Sequence, residues 1–272
     1  LAMLQEAKDF RDECDALANI LADADNAVLA SVTQFKDWTI EDVIGHLHVW
    51  NIAAGLTLES RENFQPFIEF AGQRLLAGKS HPEMQREWLN DNLDGAEGQN
   101  LFDAWRAYYP ILAEAYGAAD PDHRVAWAGP DMTVRSKIVA RQMEAWAHGQ
   151  EIFDILGKTR EDGDRIKNIC DLGVRTYSFC FRNRGEEPPQ PKPFVRLTAP
   201  SGKIWEWNEP SDDQLVSGGA IEFAQVMTQT RNIEDTSIKA DGYNANRWMA
   251  IAQCFAGAPE TPPVPGVRFK VS

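Results

Sequence analysis

Apolar and polar positions along the first two thirds of the chain alternate with the period of an α-helix. Phe10, Leu17 and Leu21 recur at helical spacing between charged residues, which predicts an amphipathic helix over residues 4–23. Residues 61–118 continue the pattern, with aromatic and aliphatic side chains that step by three or four positions. These segments predict helices that each bury one face.

A further helix is predicted at the segment WTIEDVIGHLHVW, which starts at Trp38. Thr39 can cap its first turn, and Asp42 follows three residues later, as in a capping box with Asp in place of Glu. The core stripe of this helix consists of Ile40, Val43, Leu47 and Trp50. His46 lies at the margin of the stripe, where a histidine is most often a core or boundary residue bonded to a carbonyl. The side chain of His48 is expected to point away from His46 and the core stripe.

The longest uninterrupted helical pattern covers residues 131–156 and is followed by Gly157 as a C-cap. Glu144 and His148 lie four positions apart in it, so both side chains share one face. The same sector holds Lys137, Arg141 and Glu151. This composition is typical of a solvent-exposed face. A solvated Glu–His pair and a pair of metal ligands are therefore both possible until a third ligand is found.

Polar segments interrupt the helices. Residues 79–100 contain a proline and two glycines, which predicts a loop or a short helix that crosses the top of a bundle and can cover a pocket. Residues 119–130 break the pattern again, and His123 is expected on the surface of that loop. A further helix is predicted over residues 165–183. The pattern thus predicts at least four long helices.

The period changes after the proline-rich stretch GEEPPQPKP, which cannot continue a helix and is typical of a linker. The segments PFVRLTAP and KIWEWNE predict a β-hairpin with a turn at Ser201-Gly202. A strand over residues 215–220, the strand-like SIKADG and two helical segments follow, the last helix being capped near Gly257. This mixture predicts a small α+β domain.

The predicted organisation is therefore a two-domain chain. Residues 1–185 form a helical bundle, residues 186–193 form a proline-rich linker, and residues 194–272 form the small α+β domain.

Composition and charge argue against several classes of partner and of cysteine site. The 272 residues carry a net charge of −14, which argues against nucleic acid or an anionic membrane as a partner. The four cysteines lie far apart without CxxC spacing, so we expect neither a disulfide framework nor a thiolate zinc site. A reducing cytoplasm fits this usage. The acidic, amphipathic start is unlike a signal peptide, and no apolar run is long enough to span a membrane.

His46 is the natural third ligand for the pair Glu144 and His148. Two imidazoles and one carboxylate, from facing helices of a bundle, form a common type of metal site. Three protein ligands leave one position open, as in reactive rather than structural centres. Zinc is the first expectation; nickel, iron and manganese stay open because these ligand types discriminate poorly among them.

These residues resemble a known family. The order of motifs and domains is similar to that of the mycothiol-dependent maleylpyruvate isomerases, with a DinB-like metal-binding four-helix bundle followed by a small domain of the sterol-carrier-protein type. The resemblance rests on Trp38-Thr39, Asp42-Val43, His46-Leu47, and Glu144 with His148. It covers nearly the whole chain and implies that His46, Glu144 and His148 carry the metal.

The resemblance also implies a catalytic arginine in the C-terminal domain. Arg231 in VMTQTRN is the nearest match, although Thr230 stands where a glycine is expected. Arg141 either orients an anionic substrate or pairs with a surface acid. Asp42 can contact the ligand shell or only cap its helix. The insertion over residues 79–100 is longer than the family pattern.

Three functions fit these expectations. The first is a metal-dependent isomerase or transferase that uses mycothiol or another low-molecular-weight thiol and acts on a small carboxylated molecule. The second is a DinB-like metal-binding protein of the detoxification or stress type, with a hydrolase activity or none. The third is a binding module in which the metal is structural or absent. Monomer and dimer are both compatible with the sequence.

Overall fold

The computed structural model describes residues 3–272 of the chain. The chain divides into two compact units, residues 1–155 and residues 156–272. The division falls about thirty residues before the proline-rich stretch, where the sequence places a linker. Within the described residues, no helix is both long and apolar enough to cross a membrane. All four cysteines are buried thiols.

The first unit is helical. Its helices are α1 (Gln5–Ile20), α2 (Asn26–Leu29), α3 (Ile40–Glu59), α4 (Arg61–Leu76), α5 (His81–Asn92), α6 (Gly98–Ala118) and α7 (Val134–Ile155). The long helices α1, α3, α6 and α7 pack against one another: α1 contacts α6 and α7, and α3 also contacts both. Helices α4 and α5 pack on α3. The core between them is apolar and aromatic, with Trp105, Trp146 and Tyr116 fully buried.

Helix α3 begins where its capping residues predict. The Thr39 hydroxyl accepts a hydrogen bond from the Asp42 backbone N–H at 3.0 Å. The Asp42 carboxylate accepts one from the Thr39 backbone N–H at 2.9 Å. The capping box is therefore confirmed, and it fixes the first turn two turns before His46.

The start of α7 lies three residues later than the pattern indicates. The strand β2 (Met132–Thr133) pairs antiparallel with β1 (Arg124–Val125), and β2 occupies two residues that were expected to be helical. The Thr133 hydroxyl then accepts the backbone N–H of Ser136 at 3.1 Å, which helps to start the helix. Strands of two residues carry no periodic signal, so the sequence could not reveal them.

The charged sector of α7 is not a solvent-exposed face. Lys137 is 1% exposed, and Arg141 and Glu151 are each 3% exposed. Because α7 packs against both α1 and α3, most of its circumference is covered. The expectation that these residues mark a surface is wrong: they are buried polar groups next to Glu144 and His148.

The segment over residues 79–100 contains a regular helix. α5 starts with a capping box in which the Ser80 hydroxyl accepts the Glu83 N–H and the Glu83 carboxylate accepts the Ser80 N–H. The helix packs on α3 and buries Met84, Gln85, Trp88 and Leu89. The sequence alternative of a short helix is therefore correct, and α5 lies against the helix that carries His46.

The second unit is mixed. Its helices are α8 (Lys167–Arg175), α9 (Tyr177–Arg182), α10 (Ala220–Met227) and α11 (Tyr243–Ile251), and its strands are β3 (Phe194–Thr198), β4 (Ile204–Trp207), β5 (Leu215–Gly219) and β6 (Lys239–Asp241). The strand order is β4-β3-β5-β6. β3 and β4 pair antiparallel, which confirms the predicted hairpin, and β3 pairs parallel with β5. Helix α8 packs on α10, so the residues before the proline-rich stretch belong to this unit.

Two helices of the second unit are shorter than the sequence suggests. The segment over residues 165–183 is interrupted at Thr176, whose hydroxyl donates to the carbonyls of Leu172 and Gly173 in place of a straight continuation. The closing helix ends at Ile251 and not near Gly257. Its end is fixed by tertiary contact, because the Cys254 N–H donates to the Met227 carbonyl at 3.0 Å.

Candidate metal centre

His46 from α3 and Glu144 with His148 from α7 meet in the first unit. One ligand atom of each lies within 4.8 Å of the others. The Glu144 Oε2 atom is 3.4 Å from Nε2 of His46 and 3.3 Å from Nε2 of His148. The three residues predicted as metal ligands are therefore brought together, and they come from two helices that pack directly against each other.

The remaining nitrogen of each imidazole is held by an acceptor. Nδ1 of His46 lies 2.6 Å from Oε1 of Gln85, and Nδ1 of His148 lies 3.1 Å from Oε2 of Glu151. A hydrogen on Nδ1 satisfies these acceptors and turns Nε2 towards the cluster, where it can bind a metal once it carries no proton. Histidines that bind metals have this arrangement, in which an outer acceptor orients the ring.

The spacing fits a tetrahedral ion. Ligand atoms about 2.0 to 2.2 Å from a zinc ion in tetrahedral geometry are separated from one another by roughly 3.3 to 3.5 Å. The two separations from Glu144 to the histidines, 3.4 and 3.3 Å, lie in this interval. Two neutral nitrogens and one carboxylate oxygen are also a suitable donor set for a divalent ion. A metal-free His–Glu–His hydrogen-bond network has similar distances, so metal content decides between the two.

Burial and the neighbouring charged groups shift the pKa values of the three candidate ligands. Burial alone raises the pKa of a carboxyl, but hydrogen bonds from His148 and His46 outweigh it and hold the pKa of Glu144 well below its usual range. Burial lowers the pKa of His46. Burial also acts to lower the pKa of His148, yet Glu151 and Glu144 together raise it to about 9. Glu144 is therefore an anion at neutral pH, ready to bind a cation.

Aromatic rings cover the histidines. The indole of Trp38 stacks on His148 with 5.7 Å between centroids and 5° between planes, and its centroid lies 5.3 Å from His46. Phe35 meets His148 edge-on at 5.4 Å. The intervening residues Lys36 and Asp37 have φ angles of 49° and 58°, a conformation that costs energy for side chains other than glycine. This strained turn places both Phe35 and Trp38 against the ring of His148.

Lys137 lies further along the same face of α7. Its Nζ atom is 2.8 Å from the ring centroid of Trp127. Burial, followed by the charge of Arg141, lowers the pKa of Lys137 well below its ordinary value. Within residues 3–272 this amine forms neither a hydrogen bond nor an ion pair, so the aromatic face is its main polar contact.

Comparison with known proteins identifies the family of the chain. Residues 10–153 match the family model described as the mycothiol maleylpyruvate isomerase N-terminal domain. This segment contains all three candidate ligands and more than half of the chain. The chain belongs to this family.

The mycothiol maleylpyruvate isomerase N-terminal domain family also provides relatives over almost the full length. Two uncharacterised proteins of Mycobacterium tuberculosis, from strains CDC 1551 / Oshkosh and ATCC 25618 / H37Rv, are 34% identical over 251 residues. The match covers 92% of this chain and 95% of each relative.

Solved structures show a similar fold. Mycothiol-dependent maleylpyruvate isomerase superposes with a TM-score of 0.52 at 17% identity, covering 83% of this chain and 88% of the isomerase chain. A histidine-to-alanine mutant of that enzyme gives the same score and coverage at 16% identity. At this identity the likeness concerns the fold: helices combined with a small sheet.

The two arginines predicted for catalysis lie in different settings. Arg141 is buried in the first unit, where Nε donates to Asn51 Oδ1 at 3.0 Å and Nη2 donates to the Leu47 carbonyl at 3.3 Å. It does not pair with a surface acid. Arg231 follows α10 in the second unit, is half-buried, and donates from Nη1 to the Thr230 carbonyl at 2.8 Å. Its catalytic role stays a prediction.

Other candidate residues have local roles. Asp42 caps α3, as described above. His48 is buried with its ring edge against Tyr108, and His123 is exposed in its loop, as expected. Gln85 and Glu151 contact the two candidate histidines, and sequence reasoning assigned neither of them to the site. Glu151 could have been found from its spacing of three after His148 on one helix face, whereas Gln85 gives no such signal because it lies on a different helix.

Proposed function

We propose that this protein is a metal-dependent isomerase or transferase that uses mycothiol or another low-molecular-weight thiol and acts on a small carboxylated molecule, as in maleylpyruvate isomerases. The observation that carries this proposal is the cluster of His46, Glu144 and His148, with an outer acceptor on each histidine. Membership of the mycothiol maleylpyruvate isomerase N-terminal domain family supports the reaction class.

The residues proposed to hold the metal are His46, Glu144 and His148. Zinc fits the donor set best, and nickel is the next candidate. A divalent ion bound there lowers the pKa of a thiol or of a substrate oxygen, so that the reactive anion exists at neutral pH.

The residues of the chain prepare this site. Gln85 and Glu151 keep the histidine rings turned with Nε2 inward, so no reorganisation is needed when an ion binds. Trp38 and Phe35 cover His148 and limit access of water, which strengthens electrostatic interactions inside. We assign Arg231 the role of contacting a substrate carboxylate. Buried Arg141 supports α3 and α7 and does not contact substrate.

The reaction has three steps. The thiolate sulfur adds to an activated double bond, whose π electrons move to the conjugated carbonyl oxygen, and the resulting single bond rotates. The electrons then return, the carbon–sulfur bond breaks, and the thiolate leaves to give the trans product. A transferase would stop after the addition step. We further propose that the helical unit is a DinB-like four-helix bundle, and that residues 194–272 form a domain of the sterol-carrier-protein type after the linker at 186–193.

The test is an assay of purified protein with maleylpyruvate and mycothiol, with glutathione, and without thiol, followed by NMR of the cis and trans isomers. We expect isomerisation that requires a thiol and that disappears in His46→Ala and His148→Ala. His123→Ala, in an exposed loop, is the matched control and should retain full activity. Bound metal without thiol dependence for any acceptor would contradict the isomerase proposal and favour a DinB-like metal protein with another activity.

A further inference from the structure

Helix α5 presents two residues to the candidate metal centre. His81 and Gln85 lie four positions apart, so their side chains share one face of the helix. Gln85 orients His46, as described above. The capping box of Ser80 and Glu83 fixes the first turn, in which His81 lies. The position of His81 is therefore set by local structure as well as by packing.

The imidazole of His81 lies beside the predicted ligands without joining them. Its ring centroid is 5.4 Å from that of His46, with the planes nearly perpendicular. It is 6.2 Å from Trp50 and 6.3 Å from Trp38. His81 is half-buried and is not part of the group of atoms that can share one ion. It therefore lies beside the candidate ligands as a neighbouring polar group.

Two ring nitrogens near the candidate ligands form no hydrogen bond with the described residues. Nδ1 of His81 and Nε1 of Trp50 are buried and have no hydrogen-bond partner within residues 3–272. A buried polar atom without a partner costs about 1 to 3 kcal/mol, so each such atom calls for an explanation. Rotation about χ2 of a histidine has a broad, roughly twofold energy profile. Rotation of the His81 ring can therefore direct either of its nitrogens towards the exposed side of the residue.

We propose that His81 contacts the acceptor substrate and donates a hydrogen bond to the oxygen on which negative charge develops. This inference rests on the proposed function. When the thiolate sulfur forms its bond to the double-bond carbon, the π electrons move to the conjugated carbonyl oxygen. After rotation the electrons return, the carbon–sulfur bond breaks, and the thiolate leaves. A donor aimed at that oxygen stabilises the charged state more than the neutral substrate.

The test uses the metal-loaded full-length protein and oxalate, a dianion that resembles the enolate of an α-keto acid. His81→Phe keeps the ring and removes both nitrogens, while His81→Asn keeps one N–H donor. His123→Phe is the matched control on an exposed loop. Calorimetry gives the Kd of oxalate, elemental analysis gives the metal content, and steady-state kinetics give kcat and KM for thiol and acceptor.

We expect His81→Phe to keep its metal and to bind oxalate at least about tenfold more weakly. Its kcat should fall by about 100-fold, the usual loss when one oxyanion donor is removed. KM for the thiol should stay within about twofold, because His81 touches the acceptor and not the thiol. His81→Asn should recover part of both losses.

Equal oxalate affinity in wild type and His81→Phe, or no oxalate binding by either, would overturn the proposal. Loss of metal in His81→Phe would also overturn it, since His81 would then support the ligands themselves. If wild type lacks thiol-dependent isomerisation but oxalate binding still depends on His81, the proposed function fails and only the contact of His81 with a carboxylate ligand stands.

Discussion

Oε1 of Gln85 lies 2.6 Å from Nδ1 of His46, and this contact joins α5 to the helix that carries the first candidate ligand. Glu151 holds the ring of His148 in the same way. The two contacts determine which nitrogen of each imidazole faces Glu144. The candidate centre therefore depends on five residues, of which two bind no metal themselves.

Removal of the acceptor at position 85 should weaken metal binding without loss of the fold. Gln85→Leu leaves the His46 ring free to turn, and loss of such an outer partner typically costs 10- to 100-fold in metal affinity. Competition with a chromogenic chelator measures the change. Gln85→Glu keeps an acceptor oxygen and should bind at least as tightly as wild type.

Gln65→Leu, at an exposed position of α4, is the matched control and should leave metal affinity unchanged. A Gln85→Leu protein with wild-type affinity would show that the Gln85 contact does not orient a ligand.

Substitution of Arg141 should reduce stability whether or not substrate is present. Its guanidinium is buried and bonds to Asn51 and to the Leu47 carbonyl, both on α3. Arg141→Met leaves these acceptors unpaired, and we expect a loss of about 3 kcal/mol in the free energy of unfolding. Urea unfolding measures it. Comparison with Asn51→Ala and the double variant gives the coupling between the two side chains.

A loss of activity in Arg141→Met without any change in the free energy of unfolding would instead support the sequence-based role of Arg141 in substrate binding.

His48 should make stability depend on pH in the acid range. Burial lowers its pKa from 6.5 to about 4, so the unfolded chain takes up a proton before the folded protein does. The stabilisation from neutral His48 is complete above pH 6.5 and is lost as pH falls towards 4. The difference amounts to about 3 kcal/mol. Urea midpoints of wild type and His48→Phe at several pH values isolate this contribution.

The two midpoints should diverge between pH 6.5 and 4, with wild type losing more. Parallel curves would contradict the lowered pKa of His48. His123→Phe, in its exposed loop, should follow wild type throughout.

Local signals in the sequence predicted local structure well. The capping box at Thr39 and Asp42 placed the start of α3, and the Ser201-Gly202 turn placed the β3–β4 hairpin. In both cases the determining interactions lie within a few residues of each other. The convergence of His46 with Glu144 and His148 was also predicted, first from the ligand types on two helices of a bundle and then from the family resemblance.

Contacts between distant segments determine the features that the sequence pattern did not predict. Lys137, Arg141 and Glu151 were interpreted as a solvent-exposed face because charged residues are rarely buried. The packing of α7 between α1 and α3 buries them, and no local pattern distinguishes the two outcomes. The helix end at Ile251 likewise depends on a contact with a segment distant in sequence.

The most direct test of the central claim is the metal content of purified wild-type protein, with His46→Ala and His148→Ala measured beside it. We predict about one divalent ion per chain, lost in both variants while circular dichroism stays unchanged, because each variant removes one of three ligands. Metal analysis by mass spectrometry gives the stoichiometry. Wild-type protein that carries no ion after growth and after incubation with zinc or nickel, and unfolds identically with and without chelator, would contradict the metal centre.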